Sequence, residues 1–243
     1  MKSKLIDKIL RSELFDEGTY LKQKGMIFTF LNPVSYLEAL KHKELFCKMD
    51  GIFADGEVLV KAIEMLYLRT VTRRSFDMTS IAPQLFEYAL VNNKTIYIVA
   101  SAQDEVERAV QIFTKRYKGI NIIGYRNGYF TNEEEKDVEA RHIVELRPDF
   151  LLVGMGCVKQ EEFLLKVKET GFGGIGFTCG GFIHQTACGD ADYYPKWVDK
   201  YNLRFAYRMY KEPHTRKRYL RAGILFPFYF IMEKSGLQFV QRP

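Results

Sequence analysis

The chain has 243 residues, of which 47% are hydrophobic and 27% charged, a composition that excludes a disordered protein and allows one large buried core. Its four cysteines form no C-x-x-C pair, which argues against a zinc ribbon or a redox motif. We expect reduced thiols and a cytosolic location, because the first twenty residues mix acidic side chains into a helical pattern and resemble no signal peptide.

From residue 94 onward, apolar runs alternate with amphipathic helical patterns. The stretches "KTIYIVAS", "INIIGY", "PDFLLVGMG" and "GGIGFTCGG" predict strands, and "AQDEVERAVQIFTKRY" and "KQEEFLLKVKE" predict helices. Thr131 and Glu134 have the spacing of a capping box and predict a further helix start. Because these strands are rich in Val, Ile and Leu, we predict an α/β, Rossmann-like and mainly parallel sheet with helices on both faces.

The end of the chain differs in charge from everything before it. Residues 204–221 hold seven basic residues and one glutamate, so this segment carries a net charge of +6, equal to that of the whole chain. We therefore predict an α/β core over residues 1–200 and a basic, amphipathic C-terminal helical appendage over 201–243. A confined basic patch indicates an anionic partner, although a solvated helix face beside an ordinary core helix is the plainer alternative.

The apolar run that follows, "AGILFPFYFIM", is shorter than the roughly 20 residues that span a bilayer, and Pro227 is expected to interrupt it. Such a run could lie in a membrane interface without crossing it.

Ligands of parallel sheets bind beyond the carboxyl ends of the strands, so the residues there are candidates for a site. Glycines follow two predicted strands and allow close approach of a ligand, and a helix beginning near Lys159 would direct amides at a phosphate. No G-x-G-x-x-G or P-loop pattern is present. The pattern favours a nucleotide-type ligand other than NAD, while a glycine at a strand end is equally typical of a simple turn.

Asp55 follows one apolar run and precedes Gly56 and another. A carboxylate at a strand end in a water-poor pocket would have a raised pKa, as a general base requires; the alternative is a turn residue or a helix cap. Asp190 and Asp192 form a D-x-D triplet, a spacing that can bind a metal ion; because two such carboxylates often occur by chance, we interpret them as structural or incidental. The histidines show no metal-ligand spacing, so no metal site is predicted.

Several segments together resemble the WecG/TagA/CpsF family of glycosyltransferases, family 26 with the GT-E fold. The family's P-D-G element is matched by Ala54-Asp55-Gly56, and its G-x-P-K-Q-E element by Gly156 to Glu161. The stretch from "IYIVAS" to "TNEEE" resembles the family's central region, and Leu203 to Arg218 resembles its L-E-W-x-Y-R-L-x-x-E-P-x-R-x-x-R element. The resemblance covers roughly residues 26 to 222.

This resemblance implies an inverting, metal-independent transfer of a sugar from a UDP donor to a polyprenyl-diphosphate-linked saccharide, in the synthesis of a bacterial surface polysaccharide such as a capsule or exopolysaccharide. It implies that Asp55 is the catalytic base. With the strand-end glycines, the expected donor-binding residues are Asn32, Gly56, Gly156, Lys159, Gln160, Gly180 and Gly181. The arginines expected to bind the acceptor diphosphate are Arg208, Arg216, Arg218 and Arg221. No cofactor and no nucleic-acid partner is expected.

The chain departs from the family pattern near the expected sugar and acceptor. Asn32 is kept from T-P-N while Thr29 is one position off, and Val158, Arg204-Phe205, Thr215, Ile183 and Tyr193-Tyr194 replace family residues. These departures leave the identity of the donor open.

A basic cluster beside an apolar run suits a peripheral enzyme on the inner face of the cell membrane, whose arginines hold a lipid-linked diphosphate. Two alternatives remain at this point: a nucleic-acid-binding module that uses the basic segment with its Tyr and Phe residues, and another soluble nucleotide-dependent enzyme.

Overall fold

The fold is that of a computed structural model, which describes residues 4–16, 18–189, 195, 197–198 and 203–235. Within these residues the strands are β1 (Ile27–Leu31), β2 (Gly51–Ala54), β3 (Thr95–Ala100), β4 (Asn121–Arg126), β5 (Phe150–Gly154) and β6 (Ile175–Thr178). The helices are α1 (Lys4–Ser12), α2 (Pro33–Lys41), α3 (Lys43–Lys48), α4 (Glu57–Tyr67), α5 (Ile81–Val91), α6 (Gln103–Arg116), α7 (Glu133–Leu146), α8 (Lys159–Glu169), α9 (Phe182–Gly189), α10 (Arg204–Lys211) and α11 (Arg216–Lys234).

The six strands form one sheet in the order β2-β1-β6-β5-β3-β4, and every pairing is parallel. The predicted α/β, Rossmann-like architecture is thereby confirmed. Since all strands run in the same direction, the six carboxyl ends lie along one edge of the sheet, which we call the carboxyl edge. Residues that are far apart in the sequence meet there.

Alternate residues of each inner strand face opposite sides of the sheet and build two cores. On β3, Tyr97 and Val99 face the core beneath α2, α4, α7 and α8, while Ile96 and Ile98 face the core beneath α5, α6 and α9. This period of two is the geometry of a strand buried on both sides. The strand β4 lies at the end of the sheet and is exposed or half-buried along its length.

Gly176 lets α8 approach the sheet closely. A Cβ atom at this position would lie 2.5 Å from Leu164 of α8, nearer than a real contact allows. The close approach brings the first turn of α8 against the ends of β1 and β6, where the polar residues of the site begin.

Two local predictions differ from the structure. The helix α7 is capped by Asn132, whose Oδ1 accepts the Glu135 amide at 2.8 Å, while the Glu135 carboxylate accepts the Thr131 amide at 2.6 Å. The cap therefore lies one residue after the predicted Thr131. Pro227 does not interrupt the C-terminal helix, because it lies inside α11, which is 19 residues long.

Packing against α2 explains why α11 continues across Pro227. Phe226 and Phe230 are almost fully buried, and their rings lie 5.6 Å and 5.3 Å from the ring of Tyr36. Burying one phenylalanine contributes about 1.5–3 kcal/mol, so two together can outweigh the roughly 3 kcal/mol cost of an internal proline. Glu233 accepts a hydrogen bond from the Tyr36 hydroxyl and pairs with Lys43 at 3.1 Å.

The predicted appendage is thus in direct contact with the α/β core through α11 and α2. The boundary near residue 200 stays a prediction, since residues 199–202 lie outside the described part of the chain. None of the described helices combines the length and the apolar character needed to cross a membrane.

Candidate active site

Asp55 and Asn32 lie side by side at the carboxyl edge because β2 and β1 end in register. Leu31 pairs with Ala54, and the Asp55 amide donates to the Leu31 carbonyl at 2.8 Å. The Asn32 Oδ1 caps α2 by accepting the amides of Val34 and Ser35, which leaves its amide group to donate to the Asp55 carboxylate. One side chain therefore begins a helix and orients the predicted base.

A second carboxylate, Asp77, lies near Asp55 and is held between two guanidinium groups. Its Oδ2 is 3.1 Å from Arg73 and 2.6 Å from Arg204, and Arg73 lies 3.9 Å from the Asp55 Oδ1. All of these side chains are at most 30% exposed. Sequence reasoning missed Arg73 and Asp77, because the irregular stretch between α4 and α5 has no periodic pattern to indicate where it packs.

The two carboxylates have opposite shifts in pKa. Burial raises the pKa of Asp55, the Asp77 charge raises it further, and Arg73 and Arg204 only partly offset both effects. Burial would also raise the pKa of Asp77, but Arg204, Arg73 and hydrogen bonds from neighbouring hydroxyls outweigh it and hold that pKa below its usual range. Two acids with separated pKa values are typical of catalytic sites, where one stays ionised and the other accepts a proton.

The helix α10 lies across the carboxyl edge. Arg204 reaches Asp77 beside the end of β2, and Arg208, one turn later, reaches the loop that follows β6. A Cβ atom at Gly181 would lie 2.9 Å from Arg208 Nη2, so the guanidinium packs directly against this glycine. Glu212 pairs with Arg208 at 3.1 Å. The structure therefore brings Arg208, predicted for the acceptor, against Gly181, predicted for the donor.

A buried polar cluster beneath the edge fixes two of the loops. The Glu161 carboxylate accepts hydrogen bonds from Thr29 Oγ1 at 2.6 Å and Gln160 Nε2 at 2.9 Å, and Thr178 donates to Thr29 at 2.9 Å. Burial raises the pKa of Glu161. Gln160 Oε1 also accepts the Gly180 amide at 3.2 Å. Gln160, predicted to bind the donor, thus joins the loop after β5 to the loop after β6.

The loop between β5 and α8 has an unusual backbone. Val158 has φ of 76°, a value that a β-branched residue rarely adopts, and Gly156 has φ of 85°. Non-glycine residues held in such conformations cluster at functional sites. The Val158 amide donates to Glu161 at 2.7 Å and the Gln160 amide to Gly156 at 3.0 Å. These two amides are already bonded, and the exposed Lys159 brings the positive charge of an ammonium group to this loop.

The remaining predicted residues lie on the loops after β2 and β6 and at the start of α11. Gly56 and Gly180 both have positive φ, and a Cβ atom added to either would meet open space. Arg218 is exposed at the start of α11 and is near enough to lower the pKa of Cys157, which burial raises overall to about 12. Arg216 donates to the Met209 carbonyl at 2.8 Å, and Arg221 is exposed one turn after Arg218. Asp190 and Asp192 lie outside the described residues.

A cavity of about 700 Å³ lies at the opposite edge of the sheet, near the amino ends of β3, β5 and β6. Lys94 and Asp149 line it and pair with each other at 3.1 Å, and Asp149 also accepts the Thr95 amide at 3.0 Å. Lys94 and Asp149 therefore have a structural role at the starts of β3 and β5. We place the candidate site at the carboxyl edge instead, because Asp55, Asp77 and the glycine loops converge there.

The arrangement can carry out one kind of chemistry directly. A carboxylate with a raised pKa can remove a proton from a bound hydroxyl group, and nearby arginine and lysine side chains can stabilise negative charge on a leaving group. Such a site suits the transfer of a group away from a phosphate-containing donor.

Comparison with known proteins gives matches over most of the chain. The family model described as "Glycosyl transferase WecG/TagA/CpsF family" matches residues 5–238. The chain is 34% identical over 207 residues to UDP-Gal:alpha-D-GlcNAc-diphosphoundecaprenol beta-1,4-galactosyltransferase of Shigella boydii, covering 85% of this chain and 86% of that protein.

Two further relatives are named N-acetylglucosaminyldiphosphoundecaprenol N-acetyl-beta-D-mannosaminyltransferase. The one from Bacillus subtilis is 23% identical over 209 residues, covering 84% of this chain and 79% of the relative. The one from Staphylococcus aureus is 27% identical over 210 residues, covering 80% of each chain.

We predict that Asp77→Asn lowers the pKa of Asp55. The substitution removes a negative charge that raises this pKa and leaves Arg73 and Arg204 without their shared counter-ion. The measurement is a carboxyl carbon NMR titration of Asp55. Asp149→Asn is the matched control, because Asp149 lies at the opposite edge and should leave the Asp55 titration unchanged. An unchanged or higher pKa in Asp77→Asn would contradict the electrostatic coupling.

Proposed function

Because the chain belongs to the WecG/TagA/CpsF family of glycosyltransferases, we propose that it transfers a hexosyl unit from a UDP-sugar to a polyprenyl-diphosphate-linked saccharide. The product would enter the synthesis of a bacterial cell-surface polysaccharide. The observation that carries the proposal is the carboxylate of Asp55 at the carboxyl edge, with its raised pKa and its position beside Asn32, Arg73 and Asp77.

The relatives support a specific acceptor. The names of these relatives differ in the sugar transferred, which is galactose in one and N-acetylmannosamine in the others. Every one of these names, however, includes N-acetylglucosamine linked to diphosphoundecaprenol. We therefore propose that this chain uses the same lipid-linked N-acetylglucosamine as its acceptor. The donor is a UDP-hexose, and galactose is our first choice because the galactosyltransferase is the more similar relative.

The proposed reaction is a single displacement with inversion. The acceptor hydroxyl oxygen attacks the anomeric carbon, the bond from that carbon to the UDP oxygen breaks, and the bonding electrons leave with UDP. Asp55 takes the hydroxyl proton as the new bond forms, and its raised pKa favours holding that proton. Asn32 and Arg73 keep the carboxylate directed at the acceptor.

We propose that the donor diphosphate lies against the glycine loops that follow β5 and β6. Gly156 and Gly180 border open space with positive φ, and the exposed Lys159 belongs to the first of these loops. The Lys159 ammonium group would stabilise the charge that develops on UDP, which supports a metal-independent reaction. Gly56, Gly181 and Gln160 then shape the pocket, and no cofactor or nucleic acid is required.

The exposed residues of α11 support a peripheral position on the inner face of the cell membrane. Leu220, Ile224, Phe228 and Ile231 form one exposed apolar stripe at spacings of three and four residues, opposite the side buried against α2. We propose that this stripe contacts lipid. Arg216, Arg218 and Arg221 at the start of the same helix, with Arg208 of α10, would then bind the acceptor diphosphate near the membrane surface.

Asp55→Asn should reduce transfer by about 10²- to 10⁴-fold, because the amide cannot accept the proton and the side-chain volume is preserved. The measurement is transfer to N-acetylglucosamine-diphosphoundecaprenol in EDTA, where the unaltered chain stays active. Circular dichroism checks the fold. A variant within threefold of the unaltered chain would exclude Asp55 as the base, and activity that EDTA removes and manganese restores would exclude the metal-independent route.

Arg218→Gln and Arg208→Gln should weaken use of the acceptor by roughly tenfold to a hundredfold, as expected for loss of a charge-assisted bond worth about 1.5–3 kcal/mol. Kinetics at varied lipid acceptor and calorimetric titration of UDP separate the two substrates. Lys115→Gln on α6 is the control for net charge. UDP binding that collapses while acceptor dependence is unchanged would assign the altered arginine to the donor instead.

Replacing Ile224 and Phe228 together by glutamate should reduce cosedimentation with phosphatidylglycerol vesicles at least tenfold, because each side chain loses about 1.5–3 kcal/mol of apolar burial in the membrane. Both side chains are exposed, at 76% and 58%, so the fold should be retained. Leu14→Glu is the control at an exposed apolar residue outside α11. Undiminished cosedimentation of the double variant would exclude the stripe as the membrane contact.

A further inference from the structure

Three potential metal ligands come together where α6 packs against α9, on the side of the sheet away from α2 and α11. Glu105 belongs to the first turn of α6, and His184 and Cys188 are one turn apart on α9. The two helices are held together by buried apolar contacts, including the rings of Phe113 and Phe182 stacked at 5.6 Å. The three side chains are therefore carried by well-packed helices.

The distances are close to those of a metal site. His184 Nδ1 lies 2.6 Å from Glu105 Oε1, and Cys188 Sγ lies 3.9 Å from both ring nitrogens of His184. One ligand atom from each residue lies within 4.8 Å of the others. A tetrahedral zinc ion with bonds of about 2.0–2.3 Å needs ligand atoms roughly 3.3–3.6 Å apart. Small side-chain rotations would therefore suffice, opening the nitrogen to oxygen distance and closing the sulfur to nitrogen distance.

We propose that Glu105, His184 and Cys188 bind one divalent transition-metal ion of the zinc class, with water in the fourth position. The ion would replace the hydrogen bond between the imidazole and the carboxylate, and the Cys188 thiol would release its proton to solvent as the metal–sulfur bond forms. Thiolate, imidazole and carboxylate together suit zinc and cobalt(II), whereas magnesium and calcium prefer oxygen ligands alone.

The solvent exposure of the three side chains supports this assignment. Cys188 is exposed, and the His184 and Glu105 side chains are 37% and 25% exposed, so an ion can enter from solvent. Arg108, which lies on the same helix as Glu105, donates to the Ala187 carbonyl at 3.4 Å. Glu105 also accepts the Ala102 amide at 3.2 Å, which fixes the carboxylate on its helix.

The position of the site indicates what the ion would do. It would link α6, which follows β3, to α9, which follows β6 and the Gly180–Gly181 loop, and so restrain two helices at the carboxyl edge. Asp55, Asn32 and Arg73 are not among its ligands. Because the ligands differ from the proposed catalytic residues, binding of metal is measured without reference to activity.

Titration of the full chain with cobalt(II) tests the proposal through the absorption bands of a tetrahedral cobalt ion and of sulfur-to-cobalt charge transfer. We expect one equivalent to bind and to be displaced by zinc. Cys188→Ser should abolish the charge-transfer band, and His184→Ala or Glu105→Gln should weaken binding by about tenfold or more. Circular dichroism of each variant without metal checks that the fold is kept.

Cys47→Ser and His142→Ala are the matched controls, since both residues lie on helices that pack on the other face of the sheet and should leave the titration unchanged. A full chain that shows no charge-transfer band would overturn the proposal. So would a band that persists in Cys188→Ser, because cobalt would then be bound by a different thiol.

Discussion

The carboxylate of Asp77 between Arg73 and Arg204 is the interaction on which the site depends. It joins the loop before α5 to α10 and thereby holds the C-terminal helices over the carboxyl edge. A half-buried carboxylate with two cationic partners remains ionised. Breaking a fully buried ion pair costs about 3–5 kcal/mol, which is an upper bound on the free energy lost by breaking one of these half-buried pairs. Its negative charge also acts on Asp55 and favours the protonated form of that residue. The Asp77 charge that holds α10 in place therefore also raises the pKa of Asp55.

A second constraint acts beneath the edge. Glu161 is buried in α8 and obtains its hydrogen bonds from Thr29, Gln160 and the Val158 amide. A buried carboxylate without such partners would be strongly destabilising, so the positions of β1 and the loop after β5 are determined together. Thr29, one position away from the family pattern, has a clear role in this cluster. Through Gln160 and Gly180 the same cluster also fixes the loop after β6.

The helix α11 has two apolar sides, one packed against the core and one exposed. Phe226 and Phe230 pack against Tyr36 and complete the core, while Ile224 and Phe228 point outward with the basic first turn beside them. A helix that is apolar on both sides and charged at one end suits a protein whose partner lies partly in lipid. The packed side also explains why a proline in the middle of this helix does not end it.

The sequence by itself determined the parallel α/β fold, the bounds of α8 and the place of Asp55 after a buried strand, because side-chain periodicity and strand ends are local signals. The start of α7 was predicted one residue early, because Thr131 and Asn132 are both good caps. Only the folded backbone determines which of the two side chains accepts a helix amide. Tertiary structure alone decided that Asp77 meets Arg204, 127 positions away, that Glu161 meets Thr29, 132 positions away, and that Arg208 lies against Gly181. These contacts depend on the strand order β2-β1-β6, which brings distant strand ends together, and no local pattern encodes that order.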